Sequence, residues 1–262
     1  MMPSIRLVSS PALRQHELRI HCSSCRLREL CLPMGLGESE MQRFDQIVSR
    51  RRFIPRDGIL YRMNDPFTSL YAIGLGHFKT YEINAGGEQQ ITGFQMGGEL
   101  LGLNAISTGR HHCNAMALED SEICEIPFSR LEELFSDMPA LLHQFLRMMS
   151  YEISQEEDAM LLLGNMRAEQ RLAAFLVNLA SRYGSRGYSS RRFQLRMTRE
   201  DIGNYLGLTI ESISRLLSKF KQQDWLRVHS RELELVDLAS LDALATGVEP
   251  IQQNGIKFAP WN

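Results

Sequence analysis

Residues 139–163 run for 25 positions without an internal proline or glycine, and the first break is Gly164. As a helix the stretch would be roughly 37 Å long at about 1.5 Å per residue. Asp137 and Pro139 suit its start, because proline fits a helix's first turn. Leu142, Leu146, Met149, Ile153, Glu156, Met160 and Leu163 follow alternating spacings of four and three. That is the heptad seam of a helix that pairs with another helix. Glu156 is the seam position that does not suit a core. Leu141, Phe145 and Met148 add a second apolar stripe to the first half, which needs a protein surface of its own. From this stretch alone two readings stand: a core helix of one globular domain, or a homodimer seam weakened by a carboxylate pair. Two Glu156 side chains about 8 Å apart would repel by roughly 0.5–2 kcal/mol at effective dielectrics of about 80 down to about 20. A defect of that size suits a switchable dimer.

What flanks the helix decides between them. A chain of 262 residues favours two domains over one, and its 44% hydrophobic content is enough for real cores. No apolar run reaches the ~20 residues of a membrane span. The N-terminus shows no signal-peptide apolar region, so the expected location is cytoplasmic, with no membrane partner. Net charge divides unevenly. Residues 165–237 hold 13 Lys+Arg against 8 Asp+Glu, and the rest of the chain holds 16 against 23. A basic C-terminal part beside an acidic remainder points to a nucleic-acid partner for the former.

Five cysteines, an odd number, argue against a secreted disulfide framework. Three of them, Cys22, Cys25 and Cys31, fall within ten residues in a C-x2-C-x5-C spacing after His21. One C-x-x-C alone could be a redox dithiol. The third thiol favours metal, because soft thiolates select zinc or iron–sulfur centres. Either normally takes four protein ligands, so the fourth must come from Cys113 or Cys124. Coincidental buried thiols are the plain alternative.

Residues 35–50 read as a short helix pair with Met41, Phe44, Ile47 and Val48 inward. From Arg52 to Pro127 short apolar runs alternate with Gly-rich turns, the texture of an antiparallel sandwich or barrel; Cys124 lies in one such strand. Residues 129–135 make a short helix leading into the long one. After it, residues 167–183 form a helix with Leu172, Phe175, Leu176 and Leu179 inward and Gly184 as its C′ residue. Thr198 caps a further helix with Asp201 in its first turn, Gly207 breaks the chain, and Thr209 caps another. That second helix turns Ile213, Leu216, Leu217 and Phe220 inward and Glu211, Ser214, Arg215, Ser218 and Lys219 outward. This is the shape of a helix-turn-helix, against the plainer reading of a helical hairpin with a solvated face. Glu211 and Arg215 share a face and can brace each other. Glutamate accepts from cytosine N4–H, and arginine donates to guanine or phosphate. Residues 226–236 form a hairpin around His229, Ser230 and Arg231 that could act as a wing.

Sandwich, long helix and winged helix-turn-helix, in that order, resemble the CRP/FNR superfamily of transcription regulators. The motifs resemble its oxygen-sensing FNR branch: H-C-x2-C-x5-C-x-P at residues 21–33, S-L-Y-A-I at 69–73, E-Q-x-I-T-G-F at 88–94, C-E-I-P-F at 124–128, R-L-A-A-F at 171–175, and M-T-R-x-D-I-G-N-Y-L-G-L-T-x-E-x-I-S-R-L-L at 197–217. The resemblance covers residues 21–240. It implies an α+β chain: an N-terminal antiparallel β-roll of the cyclic-nucleotide-binding type, a long dimerisation helix and a C-terminal winged helix-turn-helix. The expected division is a mobile N-terminus (1–20), an iron–sulfur sensory domain (21–138), the dimerisation helix (139–164), the DNA-binding domain (165–246) and a disordered tail (247–262).

The resemblance further implies one [4Fe-4S] cluster per subunit on Cys22, Cys25, Cys31 and Cys124; it, and not the spacing, chooses Cys124 over Cys113. It implies DNA reading by Thr209, Glu211, Ser214 and Arg215 at inverted TTGAT-like half-sites. The implied dimer seam is Met149, Ile153, Glu156 and Met160. The turn at residues 83–88 is implied to contact RNA polymerase. The expected function is that of a non-enzymatic global regulator of anaerobic metabolism genes that releases DNA when oxygen destroys the cluster. Rivals are a regulator of the same fold with structural zinc, and an iron–sulfur redox protein. No cyclic nucleotide is expected, because the phosphate pocket of this fold wants Arg-Ser or Arg-Thr where this chain has His111-His112-Cys113-Asn114.

The FNR branch commonly carries Asp at the seam position of Glu156. The longer side chain bends its carboxylate to solvent, so this dimer is expected to depend less on oxygen than one with Asp. Sedimentation of wild type and Glu156→Asp, with and without air, measures this; equal monomer–dimer constants would refute it.

Overall fold

The computed structural model describes residues 21–247 apart from Ser49 and Ala85. The mobile N-terminus expected at 1–20, and the expected tail beyond Gly247, lie outside the described residues. Two short 3-10 turns, Cys22–Ser24 and Arg28–Leu30, precede helix α1 (Glu38–Ile47). The helix pair expected over residues 35–50 is one helix, and Arg50 already begins a strand.

Eight strands follow: β1 (Arg50–Ile54), β2 (Ile59–Tyr61), β3 (Ser69–Leu75), β4 (His77–Ile83), β5 (Gln89–Met96), β6 (Leu100–Leu101), β7 (Asn114–Ala117) and β8 (Ser121–Pro127). They form two antiparallel four-stranded sheets, ordered β1-β8-β3-β6 and β2-β7-β4-β5. Ile54, Leu60, Tyr61, Tyr71, Ile73, Phe78, Leu101 and Ile123 fill the space between them. Alternation along the strands puts these on inner faces.

Helix α2 (Phe128–Asp137) leads into α3 (Pro139–Asn165), the predicted long helix, which runs through Gly164 for 27 residues. Proline sits at its first turn. Leu141 and Phe145 are buried, and Met148 and Met149 pack beside them, so the second apolar stripe has its surface. That surface is a separate core holding Leu32, Phe44, Ile47, Leu70, Ile126, Leu131 and Met138, with Cys22, Cys31 and Cys124 packed against it. The rest of the seam faces outward: Ile153 is 53% and Met160 74% exposed, and Leu146 and Glu156 are exposed too.

The C-terminal part comprises α4 (Ala168–Ser185), β9 (Arg192–Gln194), α5 (Arg199–Leu206), α6 (Ile210–Gln222), β10 (Leu226–His229), β11 (Glu232–Leu235) and α7 (Leu238–Thr246). Helix α4 runs past Gly184, and the positive φ that ends the turn falls on Gly187. Arg186, not Gly184, is its C-cap. Its Nη1 donates back to the Arg182 carbonyl at 2.6 Å, satisfying one of the orphan carbonyls of a helix end. The third sheet has the order β10-β11-β9, with Ser230 at positive φ in the expected wing hairpin.

This part docks on the outer face of the β4–β5 sheet. Ile91, Phe94 and Met96 share a core with Leu172, Phe175, Leu176 and Ile202. Polar ties surround it. Glu99 binds Arg182 at 2.6 Å and Arg186 at 2.5 Å. Lys79 meets Asp201 at 2.7 Å, and the Asn204 side chain accepts from the Ile91 amide at 2.6 Å. Arg171 donates to the carbonyls of Leu163 (2.8 Å), Met166 (3.0 Å) and Leu206 (3.1 Å). One guanidinium thus holds the C-terminal ends of both α3 and α5, where a cation is favoured.

Glu152 of α3 is half-buried near Glu99 and Arg182. Burial, and then the charges of Glu99 and Glu156, push its carboxyl from 4.5 up to about 7, against the opposing pull of Arg182. Between those values the folded chain holds a proton that the unfolded chain has released, so stability falls as pH rises through this window. Glu152→Gln is expected to remove that slope. Urea midpoints at about pH 5 and about pH 7.5 measure it, with wild type losing more stability than the variant; parallel losses would refute the burial of this charge.

Candidate functional site: a four-cysteine cage and a helix-turn-helix face

The cysteine segment is folded by its own turns. The Cys25 amide donates to the Cys22 carbonyl at 3.1 Å, and the Cys31 amide to that of Arg28 at 3.4 Å. Asp45 of α1 fixes its start, accepting from the Cys22 amide at 2.6 Å. His21 lies 3.4 Å from the same carboxylate, in a supporting place. The Gly97-Gly98 turn lets the segment come close: a Cβ on Gly97 would stand 2.9 Å from Leu27, and one on Gly98 3.1 Å from Leu30. Gly98 also has φ +90°, which disfavours any other residue.

Cys22, Cys25, Cys31 and Cys124 line one small concavity, walled by Leu27, Pro33, Phe44, Val48, Ala72, Ile73, Gly74 and Ile126. Cys124 arrives on β8 between Arg51 of β1 and Ala72 of β3. Cys113 is elsewhere, buried between the two sheets and hydrogen-bonded by Asn104 at 3.4 Å. The plain reading of Cys113 as a small buried hydrophobe fits that place.

Burial raises the Cys31 thiol to about 12, with the neighbouring Cys124 and Cys25 adding to it and the Leu32 amide opposing. Burial and the hydrogen-bonded Asp45 push Cys22 well up, and burial pushes Cys124 up against the opposing charge of Arg51. Cys22, Cys31 and Cys124 are poorly served as bare thiolates, and a cationic centre reverses that preference. The donor set is all sulfur, which suits zinc or iron–sulfur chemistry. Among the described residues no three His, Cys, Asp or Glu side chains converge tightly enough to hold a single ion. Tetrahedral zinc would require sulfurs about 2.3 Å from one centre.

His111 is buried and stacks on Tyr61, ring centroids 3.7 Å apart, with Phe67 edge-on. Burial lowers its imidazole below the ordinary range, so it stays neutral there.

In the C-terminal part, Thr198 Oγ1 accepts from the Asp201 amide at 3.0 Å while the Asp201 carboxylate accepts from the Thr198 amide at 2.9 Å. Gly207, at φ +63°, makes the turn. Thr209 Oγ1 accepts from the Ser212 amide at 3.2 Å, so Thr209 caps α6 rather than standing on its open face. Ile213, Leu217 and Phe220 are buried and Leu216 is half-buried, as expected. Ser214, Arg215, Ser218, Lys219 and Gln222 line a shallow exposed groove along α6. Arg215 does not brace Glu211 with an ion pair; its Nη2 donates to Ser212 Oγ at 3.3 Å. Glu211's own backbone amide and the Thr209 hydroxyl hold its carboxyl below the ordinary range, leaving it an ionised acceptor.

Sequence reasoning missed Asp45 and Arg51, which stand against two of the four cysteines. Neither has a motif of its own: α1 must pack on the cysteine segment, and β1 must pair with β8, before either residue is seen beside a sulfur.

Comparison with known proteins agrees with this geometry. Residues 170–244 match the model of the Crp-like helix-turn-helix domain, and residues 51–138 match that of the cyclic nucleotide-binding domain. The chain is 44% identical over 245 residues to the fumarate and nitrate reduction regulatory protein of Salmonella typhimurium, covering 94% of this chain and 97% of that one. It is 46% identical over 226 residues to the anaerobic regulatory protein of Pasteurella multocida, covering 86% and 83%. Among solved structures it resembles FixK2 from Bradyrhizobium japonicum, with a TM-score of 0.69 and 30% identity over 75% of this chain and 97% of that one. Among the described residues no helix is long and apolar enough to cross a membrane. Strand sandwich, long helix and helix-turn-helix are thus one architecture with known relatives, and the chain belongs to the CRP/FNR family of transcription regulators.

Proposed function

We propose that this is an oxygen-responsive regulator of anaerobic genes, active as a homodimer with one [4Fe-4S] cluster per subunit. The observation that carries it is the position of the four cysteines. They line one cage, and three of them pack against the core that seats the first half of α3. The names of the relatives, an anaerobic regulatory protein and a fumarate and nitrate reduction regulator, support the same reading.

When bound, the cluster supplies an oxygen-labile tie among the four sulfurs. Cys22, Cys25 and Cys31 hold the N-terminal segment to it, and Cys124 holds strand β8. With both ends tied, Leu32, Phe44 and Ile126 keep Leu141 and Phe145 seated, and Gln144 meets Met34 at 3.7 Å. That fixes the direction in which α3 leaves the core. Met149, Ile153 and Met160 then meet their copies, against the repulsion of paired Glu156 carboxylates. A switch from about 1:99 to about 99:1 needs roughly 5.5 kcal/mol of differential stabilisation. The carboxylate pair supplies part, and cage-dependent packing supplies the rest.

In the dimer two α6 helices enter successive major grooves about one helical turn apart. Thr209 sets the helix start, Glu211 and Arg215 read base edges, and Ser214 lies between them on the same face. The TTGAT-like target and a contact of the β4–β5 turn with RNA polymerase come from the family resemblance.

Iron and labile sulfide per chain, assayed after anaerobic purification and again after brief air exposure, test the cofactor. About four of each, falling in air, are expected; zinc alone would remove the oxygen reading and leave the DNA reading. Cys124→Ser is expected to abolish anaerobic binding to an inverted TTGAT repeat, and retained wild-type affinity would sink the ligand assignment. Arg215→Ala is expected to weaken specific binding by about 1–3 kcal/mol and relax discrimination at one base pair, measured by titrating wild-type and singly altered sites. Uniform weakening across all sites would show that Arg215 contacts only phosphate.

A further inference from the structure

The sheet face that carries Cys124 holds a cation whose donors are only partly used. Arg51 stands opposite Cys124 in the β1–β8 register, so both side chains rise from the same face. The charge of Arg51 pulls the Cys124 thiol down against the effect of burial. Glu122, two residues before Cys124 on the same strand face, anchors Arg51 Nη1 at 2.6 Å. Gly74 of β3 leaves the floor bare beneath it: a Cβ there would lie 3.4 Å from Nη2 and 3.7 Å from Cζ. Gly74 also walls the cysteine cage, so the guanidinium lies along the edge of that wall. Arg51 Nε is buried and has no partner among the described residues, an uncommon state for an N–H donor inside a protein. An arginine kept only for its ion pair with Glu122 would need neither the bare glycine floor nor a place opposite Cys124 in the ladder.

We propose that Arg51 is a positioning residue for the four-cysteine site, donating charge-assisted hydrogen bonds to the Cys124 sulfur and setting how readily an iron–sulfur group held there loses an electron. This rests on the cluster reading above. Four thiolate ligands concentrate negative charge, and hydrogen bonds and local charge at the sulfurs shift the reduction potential of such a centre. A guanidinium at one ligand favours the electron-richer state. Dioxygen, the oxidant, takes one electron and becomes superoxide; the positive charge beside Cys124 opposes that withdrawal. Arg51 therefore slows the loss of the tie in air, and Glu122 and Gly74 hold it in the pose that does so.

The test uses the full chain, purified anaerobically as wild type, Arg51→Gln and Arg51→Lys. Three quantities are read: iron and sulfide content, the midpoint potential under argon, and the rate of decay of visible absorption at one fixed oxygen concentration. Arg51→Gln is expected to load fully, show a lower midpoint and decay roughly tenfold faster, the scale of one lost charge-assisted hydrogen bond. Arg51→Lys keeps the charge without the planar fork, and its midpoint and decay are expected to fall between the two. If Arg51→Gln does not fold, Arg51→Lys decides: a lower midpoint with faster decay supports the assignment, and wild-type values overturn it. A loaded wild type with an Arg51→Gln variant matching it in midpoint and decay overturns this assignment alone. A wild type free of iron and sulfide overturns the cluster reading and this one with it.

Discussion

The structure depends on one shared core. The cysteine segment has almost no regular structure to hold it, only two 3-10 turns and a few backbone hydrogen bonds. It is placed by burial of Leu32 and by the hold of Asp45 on the Cys22 amide, and the same core seats Leu141 and Phe145 of α3. Close-packed interiors repack between discrete arrangements and do not deform smoothly. A change in what ties the sulfurs is therefore felt at the root of the long helix, although no cysteine lies on that helix.

The second half of α3 has the opposite character. Ile153, Met160, Leu161 and Leu163 are exposed, while Gln155 and Leu162 on the other side of the helix meet the C-terminal part. Exposed apolar residues in a continuous stripe mark an interaction surface. The two halves divide the labour: one half is held by the chain's own core, and the other is offered to a second molecule. The DNA-reading part does not hang free beside them. Glu99, Lys79 and the β5 backbone grip α4 and α5 from one side, while the outer face of α6 stays open. Docking thus uses the first helix of the motif and leaves the second for DNA.

Much of this was legible in the sequence, for physical reasons. The long helix announced itself through the absence of breakers and a strict seam, and both caps of the helix-turn-helix could be named because Thr198 and Thr209 act locally. Local interactions are what a linear reading sees. The errors fell where tertiary packing overrode them: α4 ran through Gly184 because Arg186 and Glu99 extend its last turn, and residues 35–50 gave one helix because β1 claims Arg50. The choice of Cys124 over Cys113 needed the family motif, since only the folded sheets put Cys124 on β8 at the cage and Cys113, just before β7, in the interior. Arg51 was invisible for the same reason, because its meaning lies in the residue across the ladder.

Arg171 carries a consequence for the target. It gathers carbonyls from the end of α3, the linker and the end of α5 onto one guanidinium, so the junction between long helix and reading head is clamped and not a free hinge. Two heads joined through such clamps keep the separation that the paired helices give them. Flexible linkers would let a dimer accept operators with spacers of many lengths. In the proposed homodimer the clamped junction would act as a caliper with a fixed gap, and an operator with one base pair inserted between its half-sites would turn the second half-site away from the head meant to read it.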